Sequence, residues 1–346
     1  MRFRVPIKHA AVTAVLALAL LALPGSAAAK PRALYWGAWL GPQLTGEEAP
    51  WDMRAAYHFE RLVRKRLSLL EFSAPFAKCE ADCVFYTFPT DEMTKIRRHG
   101  AIPFFSWNSG VSGGNWGDFQ LSDLRSGRYD PYIRSIARRA KAWGHPFFLR
   151  FDWEMNGNWF PWGANVNGNL PGEFRLAWRH VHDIFEQVGA TNVTWVWCPY
   201  ATDESLASFY PGDRYVDWTC LDGYNWGPES AEPTPWRSFS DIFAPAYRQI
   251  VTEIAPDKPM LIGEVATDDS GGDKAAWIRN MFIDLRLGFP KVAGLVWFDK
   301  YDLGVQWPIE TSPIASAVFA HGVRSGPFRG NVYSRLRRTP IPPPRG

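Results

Sequence analysis

The stretch "FFLRFDWEMNGNWFPWGAN", from Phe147 to Asn165, holds the repeating pattern that decides the fold of this chain. Its first part belongs to a predicted strand, Pro146–Glu154, which ends at the acid. Residues 172–189, "GEFRLAWRHVHDIFEQVG", then have the apolar spacing of an amphipathic helix. A short buried strand followed by such a helix is one unit of a parallel β/α fold.

The same unit occurs eight times along the 346 residues. The predicted strands are Ala33–Leu40, Leu67–Ser73, Ala101–Asn108, Pro146–Glu154, Val193–Pro199, Trp218–Tyr224, Pro259–Glu264 and Ala293–Phe298. We therefore predict an α/β fold made of a single (β/α)8 TIM barrel over residues 30–323. An open doubly wound sheet is the alternative, but no glycine-rich phosphate loop follows the first strand.

The two ends of the chain differ from the barrel in composition. Residues 1–29 have a basic start, an apolar run and a small-residue cleavage site, as secretory signal peptides have. The apolar run is shorter than the roughly 20 residues that span a bilayer, which argues against the alternative of a membrane anchor. Residues 324–346 are rich in proline and arginine and are expected to form a disordered tail. The sequence thus predicts a secreted, monomeric protein with no stable membrane insertion after cleavage.

The net charge of +3 is unevenly distributed along the chain. Residues 1–29 carry three basic residues and residues 324–346 carry six arginines, and neither segment contains an acid. Subtracting these nine positive charges from +3 leaves residues 30–323 with a net charge of −6. An acidic barrel argues against nucleic acid as the partner.

The four cysteines of an exported chain are candidates for disulfide bonds. Cys79 and Cys83 would close a ring of five residues, which makes a local staple. Cys198 and Cys220 occupy comparable places on two successive predicted strands and could be cross-strand neighbours. Buried free thiols are the alternative for both pairs.

In a TIM barrel the chemistry takes place at the carboxyl ends of the strands. The polar and aromatic residues at these ends should meet at one mouth: Trp107, Asn108, Glu154, Tyr224, Asn225, Glu264 and Trp297. A glycosidase needs two acids, one to transfer a proton and one to attack the sugar, and aromatic rings on which the sugar stacks. Two acids at separate strand ends, in a chain with 18 tryptophans, fit that need and indicate a polysaccharide as the partner.

Arg150, Asp152 and Glu154 share one face of their predicted strand, because side chains alternate along a strand. We expect Arg150 and Asp152 to form a buried ion pair that supports Glu154. The loop "VATDDSGGDK" after Glu264 is rich in acids but lacks the ligand spacing of an EF-hand. No metal and no cofactor are predicted.

The motif "RFDWEMNGNWFPWG" resembles glycoside hydrolase family 26, the β-mannanase family in the clan of retaining (β/α)8 glycosidases. The family pattern has an arginine, two spacer residues, a His-Glu pair, an Asn-Gly step and a Trp-aromatic-x-Trp-Gly run. The segments "PGDRYVDWTCLDGYNWG", "LIGEVATDDSGGDKAAWI" and "GLVWFDK" also resemble the family, so the similarity extends over about residues 33–310.

The resemblance implies a role for individual residues. Glu154 would be the general acid/base, Glu264 the nucleophile, and Tyr224 the tyrosine that donates a hydrogen bond to the nucleophile. Arg150 matches the arginine beneath the catalytic acids. The residues expected to bind substrate are Trp107, Trp153, Asn156, Trp159, Trp162, Tyr224, Asn225 and Trp297.

One position departs from the family pattern, because Trp153 stands where the family has a histidine before the acid. An indole donates only one hydrogen bond, so a polar partner for sugar or carboxylate is lost. The resemblance implies a retaining endo-β-glycanase acting on β-1,4-mannan, with mixed-linkage β-glucan and β-1,3-xylan as alternative substrates. A non-catalytic polysaccharide-binding barrel is the alternative function, which the presence of both Glu154 and Glu264 disfavours.

Overall fold

A computed structural model describes residue 1 and residues 33–113, 119–230 and 233–345. The predicted signal peptide therefore lies almost entirely outside the described residues. Residues 32–346 form one compact unit. Within the described ranges, none of the helices combines the length and apolar character that crossing a bilayer requires.

All eight predicted strands are present in the described residues, together with one short additional strand. The strands are β1 (Tyr35–Leu40), β2 (Leu69–Cys79), β3 (Cys83–Phe85), β4 (Ile102–Ser112), β5 (Phe147–Phe151), β6 (Val193–Trp197), β7 (Trp218–Asn225), β8 (Met260–Thr267) and β9 (Val292–Asp299). They are rich in β-branched and aromatic residues, and most of their positions are buried. Strands buried on both faces are typical of a parallel sheet that is covered by helices.

The strands close into a barrel, which confirms the predicted TIM barrel. Neighbouring strands are parallel in the order β1-β9-β8-β7-β6-β5-β4-β2, and β1 also pairs with β2. Strand β3 lies outside this ring as an antiparallel partner of β2. Gly37 of β1 lies opposite Leu69, and a Cβ at Gly37 would come within 2.6 Å of the Leu69 Cβ, so the closure of the barrel requires a glycine there.

The helices fill the connections between strands. They are α1 (Arg54–Val63), α2 (Thr90–His99), α3 (Leu121–Arg125), α4 (Asp130–Trp143), α5 (Glu173–Val188), α6 (Phe239–Gln249), α7 (Lys274–Leu287) and α8 (Pro313–Ser325). Helix α2 ends at Gly100, whose φ of 98° is in the left-handed region that glycine adopts without strain. Because the barrel strands are all parallel, their carboxyl ends lie on one side.

The tail predicted to be disordered is instead packed on the barrel. It forms a C-terminal strap, residues 327–342, that passes the amino-terminal ends of several strands. Asn331 N–H donates to the carbonyl of Leu67, and Ile341 N–H donates to the Thr194 hydroxyl oxygen, both over 2.9 Å. The indole of Trp218 donates to the carbonyl of Ile341 over 2.7 Å. Ile341 is fully buried, so its apolar contacts offset the entropy cost of ordering the strap. The composition of the tail did not predict these contacts.

Both predicted disulfide bonds are formed. Cys79 and Cys83 join the facing ends of β2 and β3. Cys198, directly after β6, is bonded to Cys220 in β7. The alternative of buried free thiols is therefore excluded for these four residues.

Candidate active site

The acid Glu154 lies on a sharp bend at the end of β5 rather than on the strand itself. The strand ends at Phe151, and both Asp152 (φ 41°) and Glu154 (φ 53°) are in the left-handed region, which costs a residue with a side chain about 1 kcal/mol or more. Hydrogen bonds hold the bend on both sides. Asp152 accepts from the backbone N–H and the hydroxyl of Ser109 on β4, over 2.7 and 2.8 Å. On the other side, Glu154 N–H donates to the carbonyl of Cys198 over 2.7 Å.

The predicted ion pair between Arg150 and Asp152 is wrong. Side-chain alternation would place them on one face, but the strand ends between them, and the bend turns Asp152 towards Ser109. Arg150 stays on the strand and points into the barrel, where it is fully buried. Burial raises the pKa of Asp152 to about 8, so this carboxyl anchors the bend rather than balancing the charge of Arg150.

Arg150 is the centre of a buried network of three acids. Its guanidinium contacts Asp222 at 2.7 Å, and Glu71 and Glu264 at 2.5 Å each. Its Nε also donates to the Ser106 hydroxyl, which in turn donates to Glu71. Burial raises the pKa of Glu71 to about 8 and that of Asp222 well above its usual range. Glu71 is therefore mostly protonated at neutral pH, and the network does not hold one guanidinium against three full negative charges.

Glu264, on β8, is fixed by two donors. The Arg150 Nη2 donates to its Oε1, and the Tyr224 hydroxyl donates to its Oε2. Burial, followed by the nearby carboxylates, raises the pKa of Tyr224 well above its usual range, so this phenol keeps its proton. Two donors, one of them cationic, stabilise a carboxylate and set the direction in which its oxygens point.

Glu154 has a less polar environment than Glu264. Its carboxyl group is almost completely buried, and one of its oxygens accepts from the indole of Trp159 over 2.6 Å. Burial, together with the charge of Glu264, raises the pKa of Glu154 to about 8, although Trp159 and Arg150 act in the opposite direction. The two glutamates therefore lie close enough to interact, and Glu154 is protonated at neutral pH. A protonated acid beside a hydrogen-bonded carboxylate is an arrangement that can donate a proton and provide a nucleophile.

The tryptophans of the motif after Glu154 have different positions. Trp159 is 43% exposed and stands edge-on to Tyr200 with ring centroids 5.2 Å apart, so it offers a free ring surface beside the acid. Trp162 and Trp153 are buried, and the Trp162 indole donates to the Trp153 carbonyl over 2.6 Å. The Trp153 ring lies 4.8 Å from the Arg150 guanidinium, so the residue that replaces the family histidine stacks on the arginine.

Trp107 and Trp297 are not brought to the mouth, and their predicted contact with substrate is wrong. Trp107 is fully buried against Phe185 of helix α5, with ring centroids 6.0 Å apart. Trp297 is fully buried against Phe319 of helix α8, at 5.2 Å. Both rings point from their strands towards the helices, because the two faces of a barrel strand alternate between interior and helix layer.

The side-chain amides of Asn156 and Asn225, which were predicted to bind substrate, form hydrogen bonds within the protein. Asn156 bonds with both ends of its amide to Tyr200, donating to the carbonyl over 3.0 Å and accepting from the N–H over 2.8 Å. Asn225 is buried and donates to the Thr267 hydroxyl, while its oxygen accepts from the N–H of Arg237. The polar atoms of both side chains, which were predicted to bind substrate, are therefore used to position the loops around the mouth.

Several residues around the two glutamates were not predicted from the sequence. Glu71 and Asp222 are acids within the strand sequences "LLEFS" and "TCLDGYN", where an acid in an apolar run is a signal of a buried functional group. Trp307 and Trp226 pack on the Tyr224 ring, with centroid distances of 5.1 and 5.7 Å. These two tryptophans follow the strand ends in long loops, where periodicity gives no indication of their direction.

An open hollow lies beside the free ring of Trp159. Its volume is about 430 Å³, and its walls include Asn156, Tyr200, Arg237 and Asp241. A ligand chain that reaches Glu154 along the Trp159 ring would extend into this polar hollow. The hollow is open to solvent, as a site for a polymer must be.

Among the described residues, two groups of three His, Cys, Asp or Glu side chains have donor atoms close enough together for a metal ion. One combines Asp222 with Cys198 and Cys220, but these two sulfurs are bonded to each other and are not thiolates. The other is formed by His182, Asp183 and Glu186 of helix α5. Neither group contains Glu154 or Glu264.

Comparison with known proteins supports the resemblance seen in the motifs. The sequence model described as glycosyl hydrolase family 26 matches residues 126–277. Endoglucanase H of Acetivibrio thermocellus is 31% identical over 310 residues, which are 88% of this chain and 32% of that protein. Mannan endo-1,4-beta-mannosidase A and B of Caldalkalibacillus mannanilyticus is 29% identical over 154 residues, which are 43% of this chain and 27% of that protein. This chain thus spans about a third or less of the length of these curated relatives.

A solved structure of a Bacillus subtilis mannanase, BCman, has the same fold. It superposes with a TM-score of 0.63 over 92% of each chain, at 17% sequence identity. At that identity the likeness concerns the fold alone, and it agrees with the closed barrel described above. The family match and the curated relatives confirm the resemblance to family 26, and the family model matches the part of the chain that extends from residue 126 to residue 277.

Proposed function

We propose that this relative of the family 26 glycosyl hydrolases is a retaining endo-β-glycanase, with Glu154 as the general acid/base and Glu264 as the nucleophile. The observation that carries the proposal is the contrast between the two carboxyl groups. Glu154 is buried beside an indole and has a pKa of about 8, whereas Glu264 is held by Arg150 and Tyr224. Environments that differ in this way assign one acid to proton donation and the other to attack.

In the first step, the Glu264 carboxylate forms a bond to the anomeric carbon while the glycosidic bond breaks. The proton of Glu154 moves to the departing oxygen, so the leaving sugar departs as a neutral alcohol. Arg150 and Tyr224 hold the Glu264 oxygens in place, which lowers the entropy cost of the attack. The product is a glycosyl ester on Glu264.

In the second step, water replaces Glu264 at the same carbon. Glu154, now a carboxylate, takes a proton from the water, and the ester bond to Glu264 breaks. Each step inverts the anomeric centre, so the sugar keeps its original configuration overall. The Trp159 indole bonds only one oxygen of Glu154 and leaves the other for the sugar or the water.

The proposed substrate is β-1,4-mannan, on the basis of the motif resemblance and the mannanase relatives. Mixed-linkage β-glucan is the second candidate, because a relative over 88% of this chain is named an endoglucanase. The replacement of the family histidine by Trp153 also favours a change in substrate. The face of the Trp153 ring packs on the Arg150 guanidinium. Its indole has a single N–H donor and lacks the second ring nitrogen with which a histidine could form another hydrogen bond.

The direct test is hydrolysis of a panel of soluble β-1,4-mannan, mixed-linkage β-glucan and β-1,3-xylan by the chain lacking residues 1–29. We expect internal cleavage of mannan, with a rapid fall in viscosity, and NMR of the first products should show retained β configuration. Faster cleavage of mixed-linkage glucan would change the substrate but keep the mechanism. Binding without hydrolysis of any of the three would support the non-catalytic barrel instead.

We further propose that the protein is exported and acts as a monomer outside the cytoplasm. The composition of residues 1–29 and the two disulfide bonds support export, since disulfides persist in oxidising compartments. Amino-terminal sequencing of protein recovered from culture medium should begin near Lys30. An intact Met1 on protein retained in the cells would contradict it.

A further inference from the structure

Three side chains beside the mouth each leave one buried oxygen without a partner. Asp299 ends β9 and is fully buried, Glu310 lies in the 3-10 turn Ile309–Thr311, and Gln43 lies in the 3-10 turn Pro42–Leu44. Within the part of the chain that the structure describes, Asp299 Oδ2, Glu310 Oε2 and Gln43 Oε1 accept no hydrogen bond. A buried polar atom left without a partner is costly, so three on adjacent loops call for an explanation.

The other polar atoms of these side chains are bonded in a way that brings the three together. Gln43 Nε2 donates to Glu310 Oε1 over 3.0 Å and to the backbone carbonyl of Asp299 over 2.7 Å. Asp299 Oδ1 accepts from the N–H of Ile309 over 2.9 Å. The carboxyl groups of Asp299 and Glu310 are within hydrogen-bonding reach of each other. The three side chains therefore form one cluster, in which the Gln43 amide nitrogen faces Glu310.

No positively charged side chain of the described residues fills this cluster. Lys274 is the cation that acts on Asp299, but its ammonium group donates to the carbonyls of Gln306 and Pro308 and to Asp269, over 2.5, 2.8 and 2.9 Å. Its three protons are thus directed elsewhere.

We propose that Gln43, Asp299 and Glu310 form a binding site for a hard divalent cation of the calcium class. Two carboxylates and an amide carbonyl are the oxygen ligands that such ions take, with water completing the shell. To bind the ion, the Gln43 amide would turn over, so that its oxygen takes the place in which Nε2 now donates to Glu310. Ligands at about 2.3–2.6 Å from one ion lie roughly 3–4 Å from each other, which agrees with the mutual reach of the two carboxyls. Gly41 makes room for the amide, because a Cβ there would lie 2.3 Å from Gln43 Oε1.

The site is distinct from the acid-rich loop after β8. In that loop, Asp268 accepts hydrogen bonds from the N–H groups of Asp269 and Gln306 and from the Ser270 hydroxyl, and Asp269 is paired with Lys274. Those carboxylates already have partners. The proposed ligands also escape sequence motifs, because Gln43 and Asp299 are 256 residues apart.

An ion at this site would act on the substrate cleft through the loop between β9 and α8. Phe298 precedes the ligand Asp299, and its ring is edge-on to Tyr224 with centroids 5.6 Å apart. Trp307 lies in the same loop and packs on Tyr224 at 5.1 Å. Tyr224 is the donor to Glu264, so the ion would hold the wall that positions this tyrosine. Its role would be to stabilise the loop, and none of the bond-making steps proposed above involves it.

The test uses terbium as a probe for calcium on the chain lacking residues 1–29, after treatment with a chelator. Nearby tryptophans such as Trp307 should sensitise terbium emission, and added calcium should displace it. Calcium at about 100 times its Kd should raise the melting temperature by about 5 °C. Glu310→Gln removes one ligand charge and should abolish both effects. Glu48→Gln makes the same acid-to-amide change in the β1–α1 loop, at a residue that is paired with Lys300 and is not a proposed ligand, and should retain them.

The competing explanation is a proton shared by Asp299 and Glu310. It predicts no saturable terbium emission and no calcium-dependent shift in the melting temperature of the unmodified chain, and that result would overturn the proposal even if Glu310→Gln failed to fold. Emission that persists unchanged in a folded Glu310→Gln variant would assign the ion to another site and would also overturn it. Neither readout depends on hydrolytic activity, so failure here is separate from failure of the proposed function.

Discussion

Replacing Trp159 by phenylalanine tests how the environment of Glu154 sets its proton affinity. The indole N–H donates to Glu154 over 2.6 Å and favours the ionised form, so removing it should raise a pKa that is already about 8. A hydrogen bond to a charged group contributes roughly 1.5–3 kcal/mol, which corresponds to about 1–2 pKa units. Because Trp159 is 43% exposed, water can replace part of this bond, and we expect a shift of about 1 unit.

The measurement is kcat/KM for a polysaccharide substrate between about pH 5 and pH 10, because this quantity reports the free enzyme. Glu154 must be protonated to act as an acid, so activity is present below its pKa and is lost as the pH rises through it. In Trp159→Phe the alkaline limb should therefore move from about pH 8 to about pH 9. Lost stacking would lower kcat/KM at every pH without moving the limb.

Trp51→Phe provides the matched control, since Trp51 is 40% exposed and packs edge-on against Phe72. Its alkaline limb should coincide with that of the unmodified enzyme. A limb in Trp159→Phe that stays in place or moves to lower pH would refute the reasoning, because the indole would then not be stabilising the Glu154 carboxylate.

Three further predictions concern the roles of the glutamates, their spacing and the strap. With an activated aryl β-glycoside and added azide, Glu154→Ala should still form the intermediate and release a β-glycosyl azide, whereas Glu264→Ala should give the α-glycosyl azide. NMR distinguishes the two products. If each variant gave the product expected of the other, the roles of Glu154 and Glu264 would have to be exchanged. A crystal structure should place the two carboxyl groups about 5–5.5 Å apart, and a separation of roughly 6.5–9.5 Å would indicate an inverting enzyme. Deleting residues 340–346 removes the buried Ile341 side chain, a loss of about 2–5 kcal/mol, and should lower the melting temperature by several degrees. An unchanged thermal unfolding curve would mean that the strap contributes nothing to stability.

The sequence predicted the barrel and the positions of its strands because both depend on local pattern. Short apolar runs that alternate with amphipathic helices allow few other arrangements, and all eight predicted strands are present. The two pairs of cysteines were also predicted correctly, since Cys198 and Cys220 hold equivalent places on neighbouring units. Glu154 and Glu264 could be named because an acid at the end of an apolar strand is unusual.

The errors in the predicted site arose where a strand ends. Alternation predicts a shared face only while the strand continues, and the bend after Phe151 turned Asp152 to Ser109 instead of Arg150. Trp107 and Trp297 were assigned to the mouth by their place along the chain. Their rings lie on the opposite face of the strand, in contact with helices.

The amino-acid sequence by itself determined the number and order of the β/α units and the two acids at their ends, because strand length and side-chain periodicity are properties of neighbouring residues. The tertiary structure alone decided the partners of Arg150, which bonds to Glu264 across 114 residues, and the course of the strap, where Ile341 meets Thr194 across 147 residues. Such contacts depend on how eight strands tilt and close together. No local pattern encodes that geometry, because the sequence of one strand does not determine which of its two faces points into the barrel. The neighbouring strands decide that.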